Sequence, residues 1–289
     1  MTLWPELQDV AFTQRWVDAG GVRTRIVEAG TGPRTILLLH GVQGHLDMWL
    51  RNIGRLSRDH RVIAFDLLGH GLTGRPDRPY EIADYLDHAL ALLDALRVRS
   101  TTWIGSSLGG WVSARAAATH PDRVDRLVLV STAGLSADPV VMSRLKTLGE
   151  RAAAMNGPEG VRERLTFVIH DPALVTDELV QLRWQIYSRD DYRAALKHVN
   201  ALQDMTVRQR NLLTADELGR IRAPTLIVWT DHDPTASLDA GRKYQSLIPG
   251  ARFAVMQDCS HVPSYERPEE FDRLVLEFLN DNQEESRHA

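Results

Sequence analysis

Six short apolar and β-branched runs set the strongest limit on how this chain can fold. They are Thr35–His40 (TILLLH), Arg61–Asp66 (RVIAFD), Thr101–Gly105 (TTWIG), Arg126–Thr132 (RLVLVST), Pro224–Thr230 (PTLIVWT) and Ala251–Gln257 (ARFAVMQ). Near-continuous apolar strands need cover on both faces, which a parallel sheet between two layers of helices provides. Helical periodicity fills Glu81–Leu96, Leu108–His120, Ser237–Leu247 and Pro268–Leu279, and Pro121 stops the second of these. Arg15–Ala29 departs from the rhythm and reads as a hairpin turning at Ala19-Gly20-Gly21. The expected class is α/β.

Between Gly134 and about Gly219 the strand rhythm stops, and the sequence turns polar, helical and Arg-rich, as in DELVQLRWQIYSRDDYRAALKHV. A connection between two strands is ordinarily under about 12–15 residues. This stretch is therefore expected to be an inserted helical cap. The tail from Asn280 to Ala289 is short and polar, and is expected to fray.

Composition narrows the function classes. The net charge of −4 gives no electrostatic support for nucleic-acid binding, and no apolar run approaches the ~20 residues needed to span a bilayer. The first ten residues, MTLWPELQDV, carry neither the basic nor the apolar region of a secretory signal. A lone cysteine, Cys259, precludes an intrachain disulfide and suits a reducing compartment, so a cytoplasmic location is expected. Cys259 reads as a small buried hydrophobe. No histidine or cysteine spacing suits a metal, and no metal or other cofactor is expected. Gly69-His70-Gly71-Leu72-Thr73-Gly74 spells G-x-G-x-x-G, but Arg75-Pro76 follows where a dinucleotide fingerprint needs a helix to open. A Gly-rich loop is the better reading.

The chemistry points to IGSSLGG, where strand gives way to helix. A serine on such a sharp turn needs small residues on either side, and G-x-S-x-G fits Ser107, flanked by Gly105 and Gly109, but not Ser106. A serine hydroxyl attacks only when a base takes its proton and an acid orients the base. Both candidates follow strands downstream: Asp231 or Asp233 after PTLIVWT, and His261 after ARFAVMQ. Asp233 sits further out over the sheet edge and is favoured, with Asp231 the competitor. The other histidines considered, His60, His88, His120, His170 and His198, lie in or beside ordinary elements. Two backbone amides, those of Leu108 and Val42, are expected to form the oxyanion hole.

LLLHG, FDLLGHGLTGRP, IGSSLGGWVSARAAATHPDRVDRLVLVSTAG, PTLIVWTDHDP and SHVPSYERPEEF together resemble the α/β-hydrolases over nearly the whole chain. The resemblance implies a mostly parallel eight-stranded sheet, with residues 1–133 and 220–289 forming the core and 134–219 the cap. A serine at the elbow separates the chain from haloalkane dehalogenases and epoxide hydrolases, which use aspartate. Within the superfamily, DPALVTDELVQLRWQIYSR is similar to the cap segment of meta-cleavage product hydrolases, which hydrolyse a carbon–carbon bond in acids formed by aromatic ring cleavage. That similarity implies that Arg183, with Trp184 beside it, binds the carboxylate and dienolate end of a small acid. Ser106, Gly41 and Val262 are carried over as pocket positions. The family usually has asparagine at the position of Ser106 and tryptophan at that of Val262, which implies a different acyl part. A homodimer or larger assembly is also implied. A carboxylesterase or lactonase with the same triad is the rival reading, and a ligand-sensing protein with vestigial catalysis is a second.

Overall fold

In the computed structural model, which describes residues 6–136, 138–155 and 157–281, all six runs are strands. The first five residues and the polar tail beyond Asp281 lie outside the described residues, so the expectation of fraying there is not addressed. Strands β1 (Phe12–Ala19) and β2 (Val22–Ala29) form the hairpin. Gly20 and Gly21 link them with φ of 65° and 84°, the left-handed pair that a two-residue hairpin turn requires. The other strands are β3 (Thr35–Leu39), β4 (Arg61–Phe65), β5 (Thr101–Ser106), β6 (Val124–Val130), β7 (Thr225–Thr230) and β8 (Arg252–Met256). One eight-stranded sheet results, ordered β1-β2-β4-β3-β5-β6-β7-β8, with β2 antiparallel to both neighbours and β3 to β8 parallel.

Alternate residues of each strand enter opposite cores. Leu37 and Leu39 join Phe65, Trp103 and Trp229 under helices α2 (Ile82–Ala95), α3 (Leu108–Thr119) and α10 (Leu238–Leu247). Ile36 and Leu38 join Ala64, Ile104 and Val128 under α1 (Leu50–Leu56) and α12 (Pro268–Asn280). Both sets are fully buried, and each such side chain contributes roughly 1.5–3 kcal/mol. Helix α1 was not anticipated from the sequence, nor was the single turn α11 (Pro263–Glu266).

The chain moves from β3 outward to β4, then returns to place β5 on the other side of β3. At such a reversal the helices leave toward opposite faces and open a crevice beyond the strands' carboxyl ends. The loop after β3 and the turn after β5 therefore lie side by side. Between β6 and β7, α9 (Ala215–Gly219) packs back on α3 and α10 of the core, while above this edge sit α4 (Pro139–Ala154), α5 (Glu159–Val168), α6 (Asp177–Tyr187), α7 (Asp190–Val199) and α8 (Met205–Asn211). They have an apolar cluster of their own, including Val161, Leu165, Val180, Ile186 and Tyr192, which Met48 and Tyr265 reach from below. Gly69–Gly74 is a loop closed by Gly69 N–H donating to Gly74 O at 3.0 Å, and the next helix starts only at Ile82. No helix among the described residues is long and apolar enough to cross a membrane.

Candidate active site

Ser107 stands between β5 and α3 at φ 53°, ψ −112°, a backbone conformation that side chains rarely adopt. Space dictates its neighbours. A Cβ on Gly105 would lie 2.3 Å from Gly109 O, and one on Gly109 would lie 2.3 Å from Leu39 O. Only glycine permits helix and strand to approach this closely. The turn is fixed from below by Ser107 N–H donating to Val130 O at 2.9 Å. Five non-glycine residues among those described have positive φ. Four of them, Gln43, Ser107, Ser131 and Asp258, fall at the carboxyl edge of the sheet.

The loop after β3 is locked by His40. Its Nε2 accepts from Leu67 N–H at 3.0 Å, which leaves Nδ1 as the donor to Gly41 O at 2.8 Å. Burial, then the neighbouring charge of His70, hold its pKa well below the usual histidine value, so the ring is neutral. Leu108 is the first residue of α3, and a first-turn N–H has no acceptor inside its own helix. Behind the loop, Arg25 grips Asp47 with two bonds of 2.8 Å. Asp66 accepts from Leu46 N–H at 2.7 Å and Leu72 N–H at 2.8 Å. The FDLLGHG stretch thus braces the crevice.

The two candidate acids have different partners. The Asp233 carboxylate meets His261 Nδ1 at 2.9 Å through Oδ2, while its Oδ1 accepts from Thr235 N–H at 2.8 Å and Thr235 Oγ1 at 2.7 Å. Burial opposes its charge, but the charge and hydrogen bond of His261 and the bonds from Thr235 outweigh burial and hold the carboxyl below its usual value. Asp231 instead accepts from the backbone of Asp258 at 3.1 Å and of Cys259 at 3.4 Å, joining the loops after β7 and β8. Glu266 steadies the histidine loop, accepting from Ser260 N–H at 2.9 Å and from His170 N–H at 2.7 Å. His261 N–H donates to Val168 O, at the end of α5, at 3.2 Å.

Two cavities of similar size flank Ser107. The smaller is lined by Gly41, Val42, Ser106, Ser107, His261 and Val262, with Arg164 and Arg183 reaching down from α5 and α6. Both arginines are buried, at 5% and 6% exposure, and no carboxylate among the described residues forms a salt bridge with either. Their donors go to main chain, apart from one that Arg183 gives to the Tyr187 hydroxyl at 3.4 Å. Arg164 donates to Leu145 O at 3.2 Å and Val42 O at 3.3 Å; Arg183 donates to Gln43 O at 3.2 Å, which also accepts from the Tyr187 hydroxyl. Arg183 Nε is buried without a partner. A cavity with two such cations suits an anionic ligand.

The structure therefore brings Ser107, His261, Arg183, Ser106, Gly41, Val42 and Val262 to one cavity wall, with Asp233 behind His261 and Leu108 on the wall of the other cavity. Trp184 is placed differently. It lines neither cavity, and its half-buried ring lies under the Arg193 guanidinium, 5.8 Å from the ring centre. One helical step from Arg183 turns it about 100° away. Arg164 escaped the sequence reading. Its signal was its place with Gly160, Val161 and Leu165 on the buried face of α5.

A family model described as alpha/beta hydrolase fold matches residues 34–268. A 2-hydroxymuconate semialdehyde hydrolase from Pseudomonas putida is 31% identical over 274 residues, covering 92% of this chain and 93% of the relative. A 2-hydroxy-6-oxo-2,4-heptadienoate hydrolase, also from Pseudomonas putida, is 31% identical, covering 92% and 95% respectively. Among solved structures, a meta-cleavage product hydrolase from Pseudomonas fluorescens IP01 superposes with a TM-score of 0.81 at 26% identity, covering 93% of this chain and 98% of that one.

Proposed function

The chain belongs to the α/β-hydrolase family, and from that premise we propose that it hydrolyses a carbon–carbon bond in a ring-cleavage acid of the 2-hydroxy-6-oxo-dienoate type. The observation that carries this reading is the pair of buried arginines facing the same cavity as Ser107 and His261, with no carboxylate among the described residues to neutralise them. An acid with a carboxylate and a neighbouring enolate supplies the missing charge, and the relatives' names describe acids of this kind. Ser106 and Val262 line that cavity and adapt it to this chain's own substrate.

The residues divide the work as follows. Arg183 and Arg164 hold the carboxylate end, and the dienol is converted to its keto form. The far carbonyl then lies against the amides of Val42 and Leu108. Ser107 Oγ attacks it, and His261 Nε2 takes the hydroxyl proton while Asp233 holds Nδ1–H. The charge of Asp233 steadies the imidazolium that forms. Collapse of the tetrahedral oxyanion breaks the carbon–carbon bond, and the departing carbanion, delocalised into the keto acid, takes the proton held by the His261 imidazolium, which restores the base. Water, deprotonated by His261, then releases the acyl group from Ser107 as an acid. The helices of residues 134–219 act as the cap that keeps bulk water from this sequence.

The test is spectrophotometric, because ring-cleavage acids absorb strongly as dienolates. Wild-type protein is expected to bleach such acids, and Arg183→Ala to lower kcat/KM for them about 100-fold more than for neutral p-nitrophenyl esters. Absence of turnover on every ring-cleavage acid, beside good ester hydrolysis, would leave a carboxylesterase.

A further inference from the structure

The cavity on the other side of Ser107 also contains a buried cation. Arg208, on α8, is 7% exposed and lines this cavity together with Ser107, Leu108 and Trp111. Its guanidinium lies over the Trp111 ring, 4.9 Å from the centre, and donates to Ser136 O at 3.1 Å and Leu202 O at 3.3 Å. All of these partners belong to the cavity wall. No carboxylate among the described residues pairs with it. Asp138, the one acidic residue of this wall, is exposed, and its Oδ1 accepts from Val140 and Val141 N–H at the start of α4. Arg25 marks the contrast, since it is equally buried but held by Asp47 at 2.8 Å and Asp66 at 3.6 Å. On the same cavity wall, Trp111 Nε1, Ser131 Oγ and Thr132 Oγ1 are buried polar atoms without a partner. Burial lowers the Arg208 pKa to about 10, which still leaves it charged at neutral pH.

A buried guanidinium whose hydrogen bonds go to two carbonyls and whose face meets a ring, with no anion beside it, is costly unless a ligand brings the opposite charge. We propose that Arg208 receives a carboxylate at the far end of the acyl group, so that the acid released from Ser107 is a dicarboxylate. This rests on the reading of Ser107 as the nucleophile. The acyl-enzyme then carries a free ω-carboxylate. Water adds to the ester carbon, the Ser107 Oγ–acyl bond breaks, and the serine regains its proton from His261. The substrate is acidic at both ends, with one end held by Arg183 and Arg164 and the other by Arg208.

Two matched substrate pairs test this: ring-cleavage acids ending in a neutral alkyl or an ω-carboxyalkyl ketone, and p-nitrophenyl butyrate beside mono-p-nitrophenyl glutarate. Wild-type protein is expected to prefer the acidic member of each pair. Arg208→Gln should lower the acidic-to-neutral ratio of kcat/KM by about 10- to 100-fold, and Arg208→Lys should lower it less. Glutarate should raise the Tm of the wild type, a readout that does not depend on either variant folding. A wild type that prefers the neutral members, or a ratio unmoved by Arg208→Gln, overturns the proposal and leaves Arg208 as a tie between α8 and the loop after β6. If the ester pair shows the preference while neither ring-cleavage acid turns over, Arg208 retains its assignment and the carbon–carbon reading fails.

Discussion

The floor and the roof of the site are built on different principles. The floor consists of the turns beyond β3, β5, β7 and β8, held by backbone hydrogen bonds, positive-φ residues and contacts too close for any side chain. The roof consists of helices from which long arginines reach down to main-chain carbonyls. The floor fixes atoms to within a hydrogen bond, as bond-making requires, whereas the roof distributes charge around a space whose shape depends on helix packing. On the proposed reading, reaction type belongs to the floor and substrate choice to the roof.

That division can be broken experimentally, beginning where the effect is largest. Ser107→Ala should remove about 10⁴–10⁶ of kcat on esters and ring-cleavage acids alike, measured by initial rates. A loss below about tenfold would mean that the floor does not carry the chemistry. Asp233→Asn should cost about 10⁴ in kcat, because the amide cannot hold the required tautomer of His261. Asp231→Asn, two residues away and tied to the next loop's backbone and to His232 rather than to His261, should cost under about tenfold; the reverse order would exchange their roles.

Roof variants should discriminate among substrates instead. Arg164→Gln is expected to raise KM for ring-cleavage acids by about tenfold, with a smaller change for neutral esters, read from full saturation curves. A uniform loss on both would make Arg164 a brace for Val42 O rather than an anion ligand.

The smallest effect lies beneath the floor, in stability. Asp272 on α12 is buried and accepts from Asn52 Nδ2 at 2.9 Å, and the same amide donates to Ser264 O at 3.0 Å, three residues beyond His261. Burial pushes its carboxyl up to about 7, although Arg55 and the Asn52 bond pull it down; Glu269 and Glu6 add to the rise. The folded state therefore holds the proton more tightly than the unfolded chain, where an aspartate titrates near ~3.9. The associated stability is complete below that pH and is lost as pH rises through about 7. Asp272→Asn should melt close to the wild type at pH 4 and a few degrees above it at pH 8, with the pH slope flattened. A variant that melts lower at pH 8 would show that the charged carboxylate is what the fold requires.

The same division explains what the sequence could disclose. Gly105, Ser107 and Gly109 are read from a five-residue frame because the constraint that selects them is local: a Cβ at either glycine would overlap main chain. Asp233 and His261 follow from strand ends, since each lies a few residues beyond a strand that the apolar pattern delimits. The roof has no such frame. Arg208 sits in MTVRQRN, a seven-residue helix with no apolar stripe, and only its packing over Trp111 separates it from Arg210, which is exposed and pairs with Glu81. Trp184 shows the same limit. Its proximity to Arg183 in sequence says nothing about which way its ring turns on a helix.

The carbonyl of Gln43 belongs to both structures at once. From above, Arg183 and the Tyr187 hydroxyl converge on it; from below, it is part of the peptide chain that carries the Val42 amide. A shift of α6 by a fraction of an ångström must either break that grip or drag the loop along. The arrangement works like a machinist's jig, in which the clamp that seats the workpiece also trues the tool. In the proposed reaction, an acid seated badly against Arg183 would leave the amide misaligned, and bond cleavage would wait until both are in register.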